Sequence, residues 1–182
     1  MRAPTTPNYF LLAATITTLA ACSSAPTVPD GAQAVVVSVV DGDTLDAAFA
    51  IGRHRVEERI RLIGIDTPET KKPDAPVECF GAEATERLSE LLPPGTPIVV
   101  ERDAETRDVY GRLLAHVLRL DDGTLVNLVM LAEGFATTLV IAPNRANIDL
   151  YAAAEREARD LGRGLWASCT GGHQPLTGSV AP

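Results

Sequence analysis

The sequence predicts a single α+β domain, dominated by a small five-stranded β-barrel on which three helices pack. The order of the elements supports this prediction, because three strand patterns precede a helix pattern, two strands follow, and two helices close the domain. The composition agrees, since 46% of the 182 residues are hydrophobic, which is enough for one ordinary core. A disordered or fibrous chain is therefore excluded.

Three strand patterns open the domain. A β-branched run over residues 34–40 ends at Asp41-Gly42, which is a strong signal for a hairpin turn. Two further strands are predicted over residues 44–50 and 55–65. Apolar and polar residues alternate only imperfectly in the last of these, so we expect a bulge or tight curvature there.

A helix pattern and two more strands follow. Apolar residues recur at helical spacing over residues 81–92, with Ala84, Leu88, Leu91 and Leu92 on one face, and a Pro-Pro-Gly sequence ends the helix. Residues 97–101 and 113–120 have the composition of strands.

Two helix patterns close the domain, over residues 125–132 and about 147–161, and Gly162 is the expected stop of the second. This order of strands and helices is typical of an OB-like barrel. On the first helix Leu125, Leu128, Val129 and Ala132 lie on one face, and on the second the residues expected to face inward are Tyr151, Ala154, Ala158 and Leu161.

The charge and the motif inventory exclude several classes of function. Sixteen Lys and Arg against 24 Asp and Glu give a net charge of −8, which excludes a general basic coat for nucleic acid but permits a local basic patch. No apolar run of 18 residues lies in the body, so a membrane-spanning core is excluded. The sequence has no Gly-x-Ser-x-Gly, no Gly-rich phosphate loop and no Cys-x-x-Cys, and so gives no support to a serine hydrolase, a P-loop enzyme or a zinc site.

The N-terminus has the features of an export signal. Arg2 precedes an apolar stretch over residues 10–21, which is too short to span a bilayer. The stretch ends in Leu-Ala-Ala-Cys22, which resembles a bacterial lipobox and implies cleavage before Cys22 and lipid attachment to that residue. The alternative is an ordinary secretory signal with an incidental Cys22.

The chain therefore divides into four parts. Residues 1–21 are predicted to be a signal peptide, and residues 22–33 a lipidated cysteine and a flexible tether rich in Pro, Ser and Gly. Residues 34–167 form the folded domain, and residues 168–182 a C-terminal tail. The protein is expected to be exported and either held at the cell membrane by its lipid or extracellular.

Two cysteines remain in the body, Cys79 and Cys169. An exported compartment is oxidising, so an even pair of cysteines predicts a disulfide. The alternative is two unpaired, buried thiols.

Charged residues concentrate in three short segments where predicted strands end, namely residues 40–44 (VDGDT), 61–69 (RLIGIDTPE) and 108–112 (DVYGR). Asp43, Asp66 and Glu69 offer hard oxygen ligands suited to Ca²⁺ or Mg²⁺. A cation held by carboxylates with arginines nearby can stabilise the charge that grows on a phosphate during its transfer. The segments therefore indicate phosphoryl chemistry.

One geometric condition must be met before these residues share a site. Arg61 lies five positions before Asp66, so a continuous strand would place the two side chains on opposite faces. A twist, or the end of the strand near Ile65, must intervene. Pro68 favours an extended turn at this point, which could bring Glu69 round toward the carboxylates.

Together and in this order, the segments resemble the staphylococcal-nuclease family, also called thermonucleases. The resemblance covers about residues 34–166 and rests on VDGDT, RLIGIDTPE, YGRLLAHV, VNLVMLAEGFA and a closing Gly-Leu-Trp. The fold of that family, a five-stranded OB barrel with three helices, agrees with the order of elements described above. The resemblance implies Ca²⁺-dependent hydrolysis of DNA and RNA that leaves 3′-phosphates, by a protein expected to be a monomer and to meet the membrane only through its lipid.

The resemblance also implies roles for individual residues around the metal. Asp43 and Asp66 would bind Ca²⁺ through their carboxylates, and Thr67 through its main-chain carbonyl. Glu69 would act as general base or orient the attacking water.

Three further residues would bind the substrate. Arg61 would bind the scissile phosphate and stabilise its extra charge, and Arg112 would lie opposite, near the leaving 5′ oxygen. Tyr110 matches a tyrosine of the family that contacts a terminal phosphate.

The sequence also departs from the family pattern. Val109 stands where the family often has a lysine, and Leu-Val-Ile-Ala over residues 139–142 replaces tyrosines near the nucleotide base in the best-known member. Loss of such stacking is worth about 1–3 kcal/mol per base. A local basic cluster lies within twenty residues of the chain and consists of Arg53, Arg55, Arg59, Arg61, Lys71 and Lys72.

Two other functions remain open at this point. One is a non-catalytic OB-fold module that binds nucleic acid or protein at the cell surface, although such a module has no reason to keep Asp43, Asp66, Glu69, Arg61 and Arg112 together. The other is a phosphodiesterase restricted to short nucleotides, which would fit the missing stacking residues.

Overall fold

The structure is a computed structural model that describes residues 27–70 and 78–169. The predicted signal peptide, the lipidated Cys22, Lys71 and Lys72 lie outside the described residues, as do the tether before residue 27 and the tail from residue 170 onward.

The described residues form seven strands and four helices. In chain order these are β1 (Ala32–Asp41), β2 (Thr44–Ile51), β3 (His54–Leu62), β4 (Ile65–Asp66), α1 (Gly81–Leu91), β5 (Pro97–Glu101), β6 (Leu113–Arg119), α2 (Val126–Ala132), β7 (Thr137–Thr138), α3 (Ile148–Asp160) and α4 (Leu165–Ser168).

Five of the strands close a barrel in the order β1-β2-β3-β6-β5. All neighbours are antiparallel except β3 and β6, which run parallel. This closed mixed barrel with its helices confirms the predicted α+β fold of OB type. The four-residue helix α4 is an addition that the sequence pattern did not predict.

The irregular pairing lies in β1 rather than in the third strand, where the sequence placed it. Between β1 and β2 the register shifts twice, between Val36 and Ser38 and again between Val39 and Asp41. The pairing of β2 with β3 is continuous. Bulges add local twist, and β1 needs that twist because it pairs with β2 along most of its length and with β5 at its start.

The third strand is shorter than predicted. It ends at Leu62 instead of continuing to residue 65, and the chain turns at Ile63-Gly64, where Gly64 has φ +79°. The next two residues form β4, which pairs with β7 in a separate two-stranded sheet. This break meets the condition set by the sequence, because Arg61 and Asp66 no longer lie on one continuous strand.

The buried face of α1 matches the prediction, since Ala84, Leu88, Leu91 and Leu92 all lie in the core. The apolar face predicted for α2 is confirmed in part, because Leu125, Leu128 and Val129 are partly buried and pack against the core, and Ala132 is also partly buried. Helix α2 packs against β6, α1 and α3. Because the helix is covered on several sides, its apolar residues are not confined to one face. The fully covered residues are Val126, Asn127, Met130 and Leu131.

Helix α3 follows its predicted pattern except at its end. Tyr151 and Ala158 are buried and Ala154 is partly buried, but Leu161 is 60% exposed. The helix ends at Asp160, so Leu161 lies at the C-cap and no longer on the packed face.

The side chain of Asn127 joins α2 to the barrel. Its Oδ1 accepts the Val117 N–H at 2.9 Å, and its Nδ2 donates to the Ile63 carbonyl at 2.9 Å. A buried amide with these partners links β6 to the turn between β3 and β4.

Cys79 and Cys169 form a disulfide, as the sequence predicts. The bond connects the residue before Phe80, the N-cap of α1, to the residue that follows α4. Within residues 27–70 and 78–169, no helix combines the length and the apolar character that a membrane span requires.

Candidate active site

The site is organised around the guanidinium of Arg61. Arg61 lies on β3 with its neighbours Ile60 and Leu62 buried in the core. Its Nη2 lies 2.9 Å from Asp43 Oδ2 and 3.0 Å from Asp66 Oδ1. Two carboxylates from separate segments therefore converge on one nitrogen.

The other terminal nitrogen of Arg61 is held by the backbone. Its Nη1 donates to the Leu62 carbonyl at 2.6 Å and to the Ile65 carbonyl at 3.0 Å. Both carbonyls flank the turn after β3, so the shape of that turn determines where the guanidinium lies. The charged group is thus oriented before any ligand binds.

Asp43 lies in the tight connection between β1 and β2 and is only 7% exposed. Its Oδ2 accepts hydrogen bonds from the Thr67 N–H and the Thr67 hydroxyl, each at 3.2 Å. Its Oδ1 accepts from the Thr44 hydroxyl at 3.1 Å. Gly42 permits this close approach, because a Cβ there would lie 2.6 Å from Thr67 Oγ1.

Asp66 and Thr67 reach the site from β4 and the residues after it. Asp66 is 4% exposed and pairs with Thr137 of β7, which holds this short strand in place. The structure therefore brings together four of the residues predicted from the sequence, Arg61, Asp43, Asp66 and Thr67.

Burial dominates the electrostatics of Asp43. It raises the pKa of the Asp43 carboxyl to about 6, with the negative charges of Asp41 and Asp66 acting in the same direction. The Arg61 guanidinium and the Thr67 N–H lower the pKa, but they do not cancel the effect of burial. One guanidinium thus faces two buried carboxylates, which leaves negative charge in the site.

The donor set fits a hard divalent cation. The carboxylates of Asp43 and Asp66 already converge on one positive group, and carboxylate and carbonyl oxygens are the ligands that Ca²⁺ prefers. No three His, Cys, Asp or Glu side chains gather as a metal site within the described residues. The oxygens that could hold such a cation are those of the Asp43 and Asp66 carboxylates and the main-chain carbonyl of Thr67.

Glu69 follows Pro68 at the edge of this cluster and is partly exposed. Its N–H donates to Glu78 Oε2 at 3.1 Å, and its carbonyl accepts the Glu78 N–H at 2.9 Å. These two bonds tie the backbone at residue 69 to the start of the segment that leads into α1.

Arg112 lies beside the edge of β3 that is opposite β2. It directly precedes β6, whose first residue Leu113 pairs with Ile60, the neighbour of Arg61. Its Nε donates to Asp108 Oδ2 at 2.6 Å, and its main-chain N–H donates to Asp108 Oδ1 at 2.9 Å. The contacts that orient Arg112 therefore come from Asp108 and not from the Arg61 cluster.

Tyr110 lies at the tip of the same loop and is 82% exposed. The Arg112 guanidinium lies 5.5 Å from the centre of its ring, within cation–π range. Val109 beside it is also exposed. The loop thus presents an aromatic face and a cation to solvent.

Sequence reasoning gave no role to two acidic residues of this site. Asp108 orients Arg112, and the i, i+4 spacing of the two residues could have indicated that pair. Asp41 accepts the Asp43 N–H at 3.2 Å, a contact within a short Asp-Gly-Asp turn.

Both the family model and the similar proteins that match this chain are nucleases of the staphylococcal type or endonucleases. A family model described as staphylococcal nuclease homologue matches residues 59–168. The chain is similar to the thermonuclease of Staphylococcus intermedius, with 35% identity over 136 residues, which cover 75% of this chain and 77% of that relative. It is 31% identical over 133 residues to the thermonuclease of Staphylococcus hyicus, covering 73% of this chain and 75% of the relative.

A third similarity is to a longer protein. Endonuclease YncB of Bacillus subtilis (strain 168) is 35% identical over 129 residues, which cover 70% of this chain and 58% of that relative. The matched family region begins at Arg59 on β3 and ends with α4, so it includes Arg61, the segment through Glu69, and Arg112.

Proposed function

Since the chain belongs to the staphylococcal nuclease family, we propose that it is a Ca²⁺-dependent nuclease that hydrolyses DNA, RNA or both to products with 3′-phosphate ends. The observation that carries this proposal is the convergence of Asp43 and Asp66 on Arg61. The names of the relatives, thermonuclease and endonuclease, support the reaction class.

In this proposal Asp43 and Asp66 hold the cation through their carboxylates, and Thr67 through its carbonyl. Bound Ca²⁺ supplies positive charge that stabilises the negative charge building on the phosphate. With a cation held by these carboxylates, the Leu62 and Ile65 carbonyls would keep Arg61 in place, because they hold its Nη1 independently of the carboxylates. Its Nη2 would then be available to donate to a phosphate oxygen.

Arg112 contributes a second guanidinium to the same phosphate. Asp108 holds its Nε, so the two Nη groups take no part in that bond and serve to bind the substrate. Charge-assisted bonds from a planar guanidinium suit phosphate geometry. Arg112 stabilises the leaving 5′ oxygen in this arrangement.

Glu69 acts on the attacking water. Its carboxylate accepts a proton as the water oxygen forms a bond to phosphorus, and the bond from phosphorus to the 5′ oxygen breaks. The water oxygen remains on the 3′-phosphate product, and the 5′ oxygen leaves as a hydroxyl that takes its proton from solvent.

The first test is incubation of the protein with single-stranded DNA in Ca²⁺ and, separately, in chelator, with analysis of fragment size and end chemistry. Calcium-dependent fragments with 3′-phosphate ends support the proposal. Glu69→Gln keeps the shape of the side chain, and we expect it to remain folded and to lose activity by several orders of magnitude. Asp160→Asn, on the exposed side of α3, is the matched control and should keep full activity.

Three outcomes would contradict the proposal. Full turnover in Glu69→Gln with the metal present would remove the mechanism. Intact DNA with the folded protein across several metals and pH values, together with retained binding, would favour the non-catalytic binding module. Cleavage of dinucleotides but not of long DNA would favour the phosphodiesterase of short nucleotides.

We also propose that residues 1–21 direct export and that Cys22 carries the lipid, since Leu-Ala-Ala-Cys resembles a lipobox. The expected result is a membrane-associated protein whose mature N-terminus is a modified Cys22, detected by mass spectrometry. Cys22→Ser should move the protein from the membrane fraction to the soluble fraction. An unmodified Cys22 in the exported protein would contradict this assignment.

A further inference from the structure

The outward face of β3 carries an exposed arginine, Arg59, two residues before the mostly buried Arg61. We propose that Arg59 binds the phosphate of the nucleotide next to the scissile one, so that β3 guides a single strand of nucleic acid along its outer face. This inference rests on the proposed function and extends it from one phosphate to two.

Strand geometry supports the placement of Arg59. Side chains alternate along β3, with Ile60 and Leu62 fully buried and Arg59 and Arg61 on the opposite face. Residues two apart on a strand are separated by about 6.6–6.8 Å. This spacing is comparable to that of successive phosphates in an extended single strand, so the two arginines match two neighbouring phosphates.

Arg59 is held in position yet open to solvent. Its Nε and Nη2 donate to the two carboxylate oxygens of Asp46 at 2.8 and 3.0 Å. Asp46 is its direct neighbour on β2, and the Arg59 side chain remains 52% exposed. This pair leaves the Nη1 donors for a ligand, and the fixed geometry lowers the entropy lost on binding.

Arg59 also faces the residues that the proposed function assigns to the substrate. A shallow groove of about 470 Å³ is lined by Arg59, Tyr110, Gly111 and Arg112, together with Asp46 and Glu58. Both acids of the groove are paired with arginines, Asp46 with Arg59 and Glu58 with Arg107 at 2.7 Å. The groove is therefore compatible with a polyanion in spite of the net charge of the chain.

The Arg59–Asp46 pair predicts opposite effects on nucleic-acid affinity for substitutions of its two members. If Arg59 binds a phosphate, the Asp46 carboxylate competes with that phosphate for the same guanidinium. Removal of Arg59 should then weaken binding, and removal of the Asp46 charge should strengthen it. An ion pair with a purely structural role predicts no such opposite effects.

The test uses the full chain carrying Glu69→Gln, so that a labelled thymidine oligonucleotide is not cut. Binding is followed by fluorescence anisotropy in Ca²⁺ over a range of salt concentrations. We expect Arg59→Gln to weaken binding about tenfold at low salt and to lower the salt slope by about 0.7, the value for one contact on a single strand. Asp46→Asn should tighten binding, and Arg59→Lys should restore most of the slope.

The matched control is Arg119→Gln. Arg119 also pairs with a carboxylate, that of Asp121, but it lies at the far end of β6. The Arg119→Gln substitution should leave both the affinity for the oligonucleotide and its salt slope unchanged. Thermal melts of every variant establish that it is folded.

Cleavage assays separate the failure of this inference from that of the proposed function. With Glu69 restored, Arg59→Gln should lower kcat/KM on an oligonucleotide and leave a dinucleotide substrate unaffected. If the wild type cleaves and Arg59→Gln behaves like Arg119→Gln, the role of Arg59 is wrong and the nuclease proposal stands. If the wild type neither cleaves nor binds, both are wrong.

Discussion

The ring of Tyr151 lies directly against Gly64. A Cβ at Gly64 would be 2.6 Å from Tyr151 Cε2, closer than real Cβ contacts occur. Tyr151 is fully buried on α3, and its hydroxyl lies 2.8 Å from His116 Nδ1 on β6. Helix α3 thus supports the turn after β3, the same turn whose carbonyls hold Arg61.

Gly64→Ala should therefore destabilise the protein for two reasons. The positive φ of +79° disfavours a side chain, and the Tyr151 ring leaves no room for one. Gly52→Ala is the matched control, since Gly52 has φ +61° and no atom lies within 4 Å of the position that its Cβ would take. We expect a loss of about 1 kcal/mol for Gly52→Ala and about 1–3 kcal/mol more for Gly64→Ala, measured by denaturant unfolding. Equal losses would show that the Tyr151 ring moves aside.

Ca²⁺ should raise the melting temperature of the wild type. A ligand that binds only the folded state adds about 2.7 kcal/mol at a concentration one hundred times its Kd, which corresponds to several degrees for a domain of this size. Asp66→Asn removes a carboxylate that converges on Arg61, and should abolish the shift. Asp160→Asn should retain it. A shift of equal size in both variants would place the cation elsewhere.

The disulfide should contribute strongly to stability. It closes a loop with a sequence separation of 90, for which the chain-entropy model gives roughly 4–5 kcal/mol, although measured contributions are typically about 2–4 kcal/mol. The double variant Cys79→Ser, Cys169→Ser should have a free energy of unfolding that is lower by about 2–4 kcal/mol, and its denaturation midpoint should fall accordingly. The wild type in reductant should have the same free energy of unfolding as this variant. Without reductant, a thiol reagent should label no cysteine of the folded domain. An unchanged midpoint would contradict this prediction.

Acid should weaken one specific connection, the one made by Asp103. Its carboxylate accepts the N–H groups of Ala146, Ala104 and Arg145 at 2.7, 2.8 and 2.6 Å, which joins the loop after β5 to the loop before α3. These hydrogen bonds, that of Ala146 first, hold the pKa of Asp103 below its usual 3.8, and the charge of His116 acts in the same direction. The folded state therefore binds a proton at Asp103 less readily than the unfolded chain.

The sign of the pH effect follows from that difference. The stability contributed by Asp103 is fully present above the unfolded pKa of 3.8 and is lost as the pH falls through the lower folded value. Asp103→Asn should lower stability at neutral pH and flatten its dependence on pH in the acid range. Denaturant unfolding at a series of pH values, with Asp160→Asn as control, measures this. Parallel curves for wild type and Asp103→Asn would show that the carboxylate does not carry the effect.

The order of strands and helices along the chain and the charged residues around Arg61 could be predicted from the sequence, because both depend on local patterns. β-branched runs, the Asp-Gly turn and helical spacing are encoded within a few residues of each other. The segments VDGDT and RLIGIDTPE are likewise short and contiguous. Their carboxylates were recognisable as candidate cation ligands from residue type alone.

The fully buried residues of α2, Val126, Asn127, Met130 and Leu131, could not be predicted in the same way. Periodicity identifies a face only when one side of a helix is covered, and α2 is covered by β6, α1 and α3. The bulges of β1 also escaped the sequence, because they follow from pairing with two different strands.

By itself, the sequence determined the order of strands and helices, the disulfide pair and the set of charged side chains near the strand ends. Only the tertiary structure decided how those side chains meet. Gly64 and Tyr151 are distant in the sequence yet in contact, and Arg59 and Asp46 pair across two strands. Contacts of this kind depend on the closure of the barrel and the packing of α3, and neither is encoded in a local run of residues.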